Sequence, residues 1–289
     1  MGGIIWLASY PKSGNTWLRA FLHNLLLNPA EPADINQLDQ FCFGDSQATW
    51  YERLAGRKVS ALLPQDIARL RPEVHQAYTR ARPDSVFVKT HNMLGETFGV
   101  PLITMAATAG ALYVVRNPLD LVLSLADHFG LTLDQAIDML GDPQSATQTD
   151  ERNVFEFYGT WSQHVRSWAG QQGKQLLVVR YEDMATKPEQ SFGRVAGFLG
   201  LKPPRARLDK AIRFASFEVL RRQEEARGFR ERSLHQARFF RVGRAGQWRA
   251  RLSPAQVERV ISEHAAEMGR FGYVPAEFAA VAASAACKS

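Results

Sequence analysis

Four short stretches carry residue types that could work on one chemical problem: Lys12-Ser13-Gly14-Asn15-Thr16, Lys89-Thr90-His91, Arg116 with Ser124, and Arg241 with Gly243. The first has the composition of a tight turn feeding a helix. Such a turn aims free N–H groups and the positive end of the helix dipole at one spot, which suits a phosphate or sulfate. Lys12 adds a full charge, and Gly14 lets the backbone come close to a ligand. An ordinary strand-to-helix turn with a solvated lysine would share this composition. The lysine precedes the glycine, so the GxxxxGK[ST] order is absent and a nucleoside triphosphate with magnesium is not the natural ligand. His91 could take a proton from a reacting hydroxyl, and Lys89 would add a second charge near the reacting group. Arg116 and Ser124 could grip one phosphate from two sides. Arg241 could meet a phosphate bidentately while Gly243 lets the chain close over it.

These residues need elements to hold them. Ile4–Leu7 is a short apolar run of the kind buried on both faces of a sheet, and from Thr16 the spacing of Trp17, Leu18, Phe21, Leu22 and Leu25 is helical until Asn28-Pro29 stops it. Val86–His91 is a strand run ending in three polar residues, and Ala111–Val115 is another strand, followed by Asn117 as N-cap, Pro118 at the first helical position and Asp120 in the first turn. Further on, Phe155–Trp168 reads as an aromatic-rich helix, Leu176–Val179 as a fourth strand and Pro188–Leu199 as an amphipathic helix closed by Gly200. Strands alternating with helices predict a parallel sheet flanked by helices, and ligands bind such a sheet at the carboxyl ends of its strands. That edge is where Lys89-Thr90-His91 falls.

With 289 residues, 45% hydrophobic and 22% charged, the chain has the make-up of a globular enzyme, and one domain is expected over 1–289. Cys42 and Cys287 show no ligand-like spacing, so neither zinc nor a disulfide framework is indicated and a reducing, cytoplasmic setting is expected. The apolar N-terminus lacks a basic region and a cleavage site, and no apolar run approaches the roughly 20 residues of a membrane span, so no stable membrane insertion is expected. Ten arginines lie between Arg221 and Arg251 against Glu224, Glu225 and Glu231, an excess larger than the whole chain's net charge of +6. The basicity is therefore one segment. It would serve a nucleic acid or a single highly anionic small ligand. Residues 29–85 include Phe41, Phe43, Trp50 and Tyr51, which are either acceptor-site walls or satellite core, and a short helix is expected around Pro64–Leu70. Residues 141–150 read as a loop that orders on binding, and 279–289 as a frayed tail.

The stretch Tyr10–Trp17, YPKSGNTW, resembles the YPKSGTTW phosphosulfate loop of sulfotransferases that use 3′-phosphoadenosine 5′-phosphosulfate (PAPS), departing only at Asn15. The resemblance extends to Lys89-Thr90-His91, to Arg116-Asn117-Pro118 with Ser124, to Tyr181-Glu182-Asp183, to Ser216-Phe217 and to Arg241–Trp248. Ala215, Val242 and Gln247 depart from the family's usual residues, and Asn92-Met93 replaces its Leu-Pro. The first strand and loop most resemble compact bacterial members, including those that sulfate glycopeptide antibiotics.

The resemblance implies a P-loop-like sulfotransferase fold, PAPS as co-substrate, adenosine 3′,5′-bisphosphate (PAP) as product, and no metal. It gives Lys12 the oxygen bridging phosphate and sulfate, Ser13, Gly14, Asn15 and Thr16 the rest of the loop, and Trp17 the adenine. Arg116, Ser124 and Arg241 take the 3′-phosphate, and Ser216 and Phe217 the adenine side. His91 becomes the base that acts on the acceptor. Tyr181 keeps two readings, adenine contact and core packing. The implied partner is a small-molecule or natural-product acceptor, with lipid, sugar and peptide types left open, bound by 29–85 and 92–153; 221–251 would cover the nucleotide, and no nucleic acid is implied. Two rivals remain: a P-loop-like small-molecule kinase, which would need carboxylates for magnesium that no motif supplies, and a nucleic-acid-binding module, whose affinity would fall steeply with salt.

Overall fold

The structure is a computed structural model that describes residues 2–171 and 173–286. Its centre is a sheet of five parallel strands, β1 (Ile4–Ser9), β2 (Cys42–Gly44), β3 (Val86–Thr90), β4 (Thr108–Val115) and β5 (Leu176–Arg180), in the order β2-β3-β1-β4-β5. The four strands expected from apolar runs are all present. The edge strand β2 was not foreseen, because three residues leave no period to read.

Alternation along the strands feeds two cores. Ile4, Trp6 and Ala8 of β1 join Tyr113 and Val115 on one face, and Leu7 joins Leu112 and Val114 on the other. The helices Pro64–Arg80, Pro118–Phe129, Trp161–Ala169 and Pro254–Arg270 contribute to the first core. Asn15–Leu27, Pro188–Phe198, Arg205–Phe214 and Phe217–Arg227 contribute to the second. Both faces are therefore covered, as a parallel sheet requires.

Several expectations need correction. The helix placed over Phe155–Trp168 begins only at Trp161, where Thr160 and Gln163 form a reciprocal cap; before it, Phe157 N–H donates to Asn92 Oδ1 at 2.8 Å and Tyr158 N–H to the Ser145 carbonyl at 2.8 Å, so the chain there is tied to its neighbours. The short helix near Pro64 runs to Arg80 and contains Pro72. The loop after Gly141 is already pinned: Thr147 N–H meets the Glu156 carbonyl at 2.9 Å and Val154 N–H the Ser46 carbonyl at 2.8 Å. The tail is helical over Ala279–Ala286, since alanine is the best helix former, and Val281 and Ala282 pack on the core; Cys287 and the rest of the tail lie outside the described residues. Phe43, Trp50 and Tyr78 pack against one another, with centroids 4.8–5.5 Å apart. Phe41 lies on His23 and Tyr51 is fully buried, so these aromatics are core.

Candidate active site

The strand ends meet because the registers align them: Ala8 lies beside Thr90, Ser9 beside Val114, and Val115 beside Arg180. The residues that follow, from Tyr10, His91, Arg116 and Tyr181 onward, therefore emerge at one edge. They surround a cavity of about 320 Å³ lined by Lys12, Lys89, His91, Arg116, Ser124 and Tyr181 among others.

The loop after β1 is held in an unusual shape. Lys12 has a φ of 65° and Gly14 a φ of 105°. For lysine the left-handed region costs about 1–2 kcal/mol, a strain of the kind kept at ligand sites. A side chain at Gly14 would be doubly disfavoured, since its Cβ would lie 2.7 Å from Tyr181 Cδ2. Asn15 anchors the turn from below, its amide donating to the Leu7 carbonyl at 2.8 Å and to Ser9 Oγ at 3.3 Å. Arg116 braces it from the side: Nη1 donates to the Lys12 carbonyl at 2.9 Å, and the guanidinium lies 4.2 Å from the Tyr181 ring centroid. Tyr181, wedged between Arg116 and Trp17, is buried.

Lys12 points inward, its Nζ 3.7 Å from the Phe239 ring centroid and 3.4 Å from His128 Nδ1. Burial, with the nearby Arg116 charge, lowers its pKa to about 7. An anion set beside it would favour its charged form. The buried Ser13 Oγ, Trp17 Nε1 and Arg116 Nε have no hydrogen-bond partner among the described residues. Trp17 and Arg116 line the cavity, so their donors and the left-handed loop suit an anionic ligand.

His91 sits across the cavity with its tautomer fixed. Nδ1 is 2.7 Å from the Ser9 carbonyl, which can only accept, so Nδ1 carries the proton and Nε2 keeps its lone pair. Burial, then the Lys89 charge, holds the imidazole well below its ordinary pKa. Behind it, Tyr113 O–H donates to His164 Nδ1 at 2.9 Å, and His164 Nε2–H donates to the His91 carbonyl at 3.0 Å. The His91 N–H donates to Glu156 Oε1 at 2.9 Å.

The far wall is the segment from Gly228 to Trp248, which has little regular structure and is held by carboxylates. Glu224 accepts from the N–H groups of Phe239 and Phe240 at 2.7 and 2.8 Å. Asp120, in the first turn of Pro118–Phe129, accepts from those of Gly246 and Trp248 at 2.6 and 3.1 Å. Glu231 takes both ends of the buried Arg19 guanidinium at 2.8 and 2.6 Å, which draws its carboxyl down to about 2 despite burial. Gly243, with a φ of 67°, lies so close to Phe217 that a Cβ there would be 2.4 Å from the ring.

Of the residues predicted from sequence, Lys12, Gly14, Asn15, Thr16, Trp17, Lys89, His91, Arg116, Ser124, Tyr181, Phe217, Arg241 and Gly243 line the cavity. Ser13 lies beneath it, wholly buried. Ser216 also stands off the wall, because its hydroxyl caps the helix Phe217–Arg227 by accepting from Val219 N–H at 3.4 Å. Sequence reasoning passed over Arg19, Glu231, His128 and Glu156. Arg19 had a signal, a charge amid Leu18, Ala20, Phe21 and Leu22. Glu231 had another, as the only acid after Glu225 in the basic segment. Glu156 had none, since its stretch read as helix.

Among the described residues no helix is long and apolar enough to cross a membrane, and no group of three or more His, Cys, Asp or Glu side chains is placed to hold a metal ion. Comparison with known proteins adds the remaining evidence of kinship. Human sulfotransferase 2B1 is 25% identical over 259 residues, 88% of this chain, which spans only 63% of that protein's length. The 3-alpha-hydroxysteroid sulfotransferase of Cavia porcellus is 24% identical over 93% of this chain and 84% of its own. The crystal structure of mouse sulfotransferase SULT7A1 complexed with PAP superposes with a TM-score of 0.59 at 20% identity, over 93% of this chain and 85% of that one, which establishes the shared fold. A family profile described as "Sulfotransferase domain" matches residues 4–272, from the first residue of β1 to the turn after the helix Pro254–Arg270. The chain therefore belongs to the sulfotransferase domain family.

Proposed function

We propose that this sulfotransferase acts on a hydroxyl, or alternatively an amine, of a small-molecule or natural-product acceptor, with His91 as general base and Lys12 at the leaving group. Bound PAPS supplies an activated sulfuryl group, and its S–O bond to phosphate breaks in line as the acceptor oxygen bonds to sulfur. His91 Nε2 takes the acceptor's proton. Lys12, Lys89 and the loop N–H groups stand where negative charge gathers on the phosphate oxygen that keeps the electron pair. Arg116, Ser124 and Arg241 are assigned to the 3′-phosphate, and Trp17 and Phe217 to the adenine. A cytoplasmic setting accords with the free, buried thiol of Cys42. A nucleic-acid role finds little support, because Arg221, Arg222 and Arg238 pair with Glu225 or Glu218 and are not left open as a basic face.

The observation that carries the mechanism is the 2.7 Å contact from His91 Nδ1 to the Ser9 carbonyl, which leaves one nitrogen, unprotonated, for the acceptor. The test is single-turnover sulfation with His91→Ala alongside PAP binding and the melting temperature. The expected result is a rate lower by about 10²–10⁴-fold, with PAP affinity within about twofold. A well-folded His91→Ala enzyme turning over near the wild-type rate would overturn the assignment.

A further inference from the structure

One stretch of the cavity wall is polar. Ser46, Thr147, Gln148, Asp150, Asn153 and Glu156 line it, with Tyr158 the aromatic ring among them, and Glu156 reaches the His91 backbone. This differs from what a steroid or another largely apolar acceptor needs, which is a wall of apolar side chains around a few polar ones. Glu156 is the group that gives the polarity a direction. It is more than nine-tenths buried, and Oε1 is fixed by the His91 N–H at 2.9 Å. Its backbone is fixed too, its N–H donating to Thr147 Oγ1 at 2.8 Å and its carbonyl accepting from Thr147 N–H at 2.9 Å. Oε2 has no hydrogen-bond partner among the described residues, although the carboxyl borders the cavity. That oxygen opens onto the cavity, where a ligand that displaces water can supply its donor.

We propose that Glu156 selects the acceptor: Oε2 accepts a hydrogen bond from a second donor group carried next to the hydroxyl that His91 deprotonates, so the substrate class is the vicinal diol or vicinal amino alcohol. This rests on the sulfotransferase reading above and on His91 being the base. The fit is geometric. Glu156 and His91 are tied through one backbone N–H, so a molecule whose reacting oxygen meets His91 brings its neighbouring substituent to the carboxyl. Glu156 thereby becomes a specificity residue that touches substrate without taking the transferred proton. A single hydroxyl on an apolar skeleton would leave Oε2 unpaired, and a site built to bond a substrate donor discriminates strongly against analogues that lack it.

The test uses the full chain, labelled PAPS and matched acceptors: a cyclic vicinal diol, the corresponding vicinal amino alcohol, the mono-alcohol of the same ring, and a 3-hydroxysteroid. PAP binding by titration calorimetry is measured on every protein, so that failure of the nucleotide reading shows as lost PAP binding and is separable from failure of this inference. The wild type should prefer the diol or amino alcohol over the mono-alcohol by about tenfold or more in kcat/KM, in line with one hydrogen bond to a charged group. Glu156→Leu should erase that preference while leaving PAP affinity within about twofold. Glu156→Gln, which keeps an acceptor for His91 N–H and serves if the leucine variant fails to fold, should lower the rate for the amino alcohol about tenfold and that for the diol far less, which tells an ammonium donor from a hydroxyl. A wild type that binds PAP yet prefers the mono-alcohol or steroid, that sulfates none of the panel, or whose preference survives in Glu156→Gln and Glu156→Leu alike would overturn the proposal.

Discussion

Lys12 occupies a place where its own charge is disfavoured until an anion arrives. Its pKa of about 7, from burial and then Arg116, leaves it largely neutral at pH 8 in the free protein. A phosphate set against it favours the charged form. PAP binding at pH 8 should therefore take up close to one proton, measured as the dependence of calorimetric binding enthalpy on the buffer's ionisation enthalpy. Lys12→Met should abolish the uptake as well as weaken binding, and equal proton uptake in that variant would remove the assignment. At this scale the sequence was informative wherever a motif names a backbone-proximal residue, as for Lys12, Gly14 and His91. It was silent on Glu156 and misleading on Ser216, because neither a free carboxylate oxygen nor an N-cap geometry is written in residue type alone. Tyr181 illustrates a middle case: burial and wedging between Arg116 and Trp17 make it part of the cavity wall and of the packing at once.

The helix Pro118–Phe129 does two jobs through one turn. Its start follows Arg116, and its Asp120 holds the N–H groups of Gly246 and Trp248, so the strand end and the covering segment are registered against each other. Asp120→Ala should release the cover. Hydrogen bonds to a charged group contribute roughly 1.5–3 kcal/mol, so PAP affinity should fall at least about tenfold and amide exchange over 241–248 should quicken, while the sheet amides stay protected. Unchanged exchange over 241–248 would show that the cover is held by something else. Asp120 was legible as a first-turn acid but not as a tether 126 residues from its partner Gly246. The strands were readable because burial on both faces gives continuous apolar runs, and the helix Trp161–Ala169 was misplaced because its start lies in the Thr160/Gln163 cap and not in the aromatic spacing before it.

For the whole molecule, burial sets the response to acid. His128, His164 and His264 are each lowered from 6.5 to about 4, first by burial. Between those values the unfolded chain binds more protons than the folded one, so stability is full above about 6.5 and falls as the pH drops toward 4. Asp45 and Glu231, both near 2, have the same sign in a lower window and lose their contribution below about 4. Glu156, raised by burial, runs the other way. The melting temperature should decline from pH 7 to pH 4.5, and His264→Phe, which removes one of the histidines lowered by burial, should flatten that decline; an equally steep slope would show that His264 takes no part in it. The Arg19–Glu231 pair bears on how the protein is born. These partners are 212 residues apart, and at about 5–20 residues/s a ribosome exposes the phosphate loop some 10–40 s before the carboxylate that neutralises the guanidinium beneath it. Until then neither that carboxylate nor the far wall from Gly228 to Trp248 has been made, so the cavity can be completed only late in synthesis.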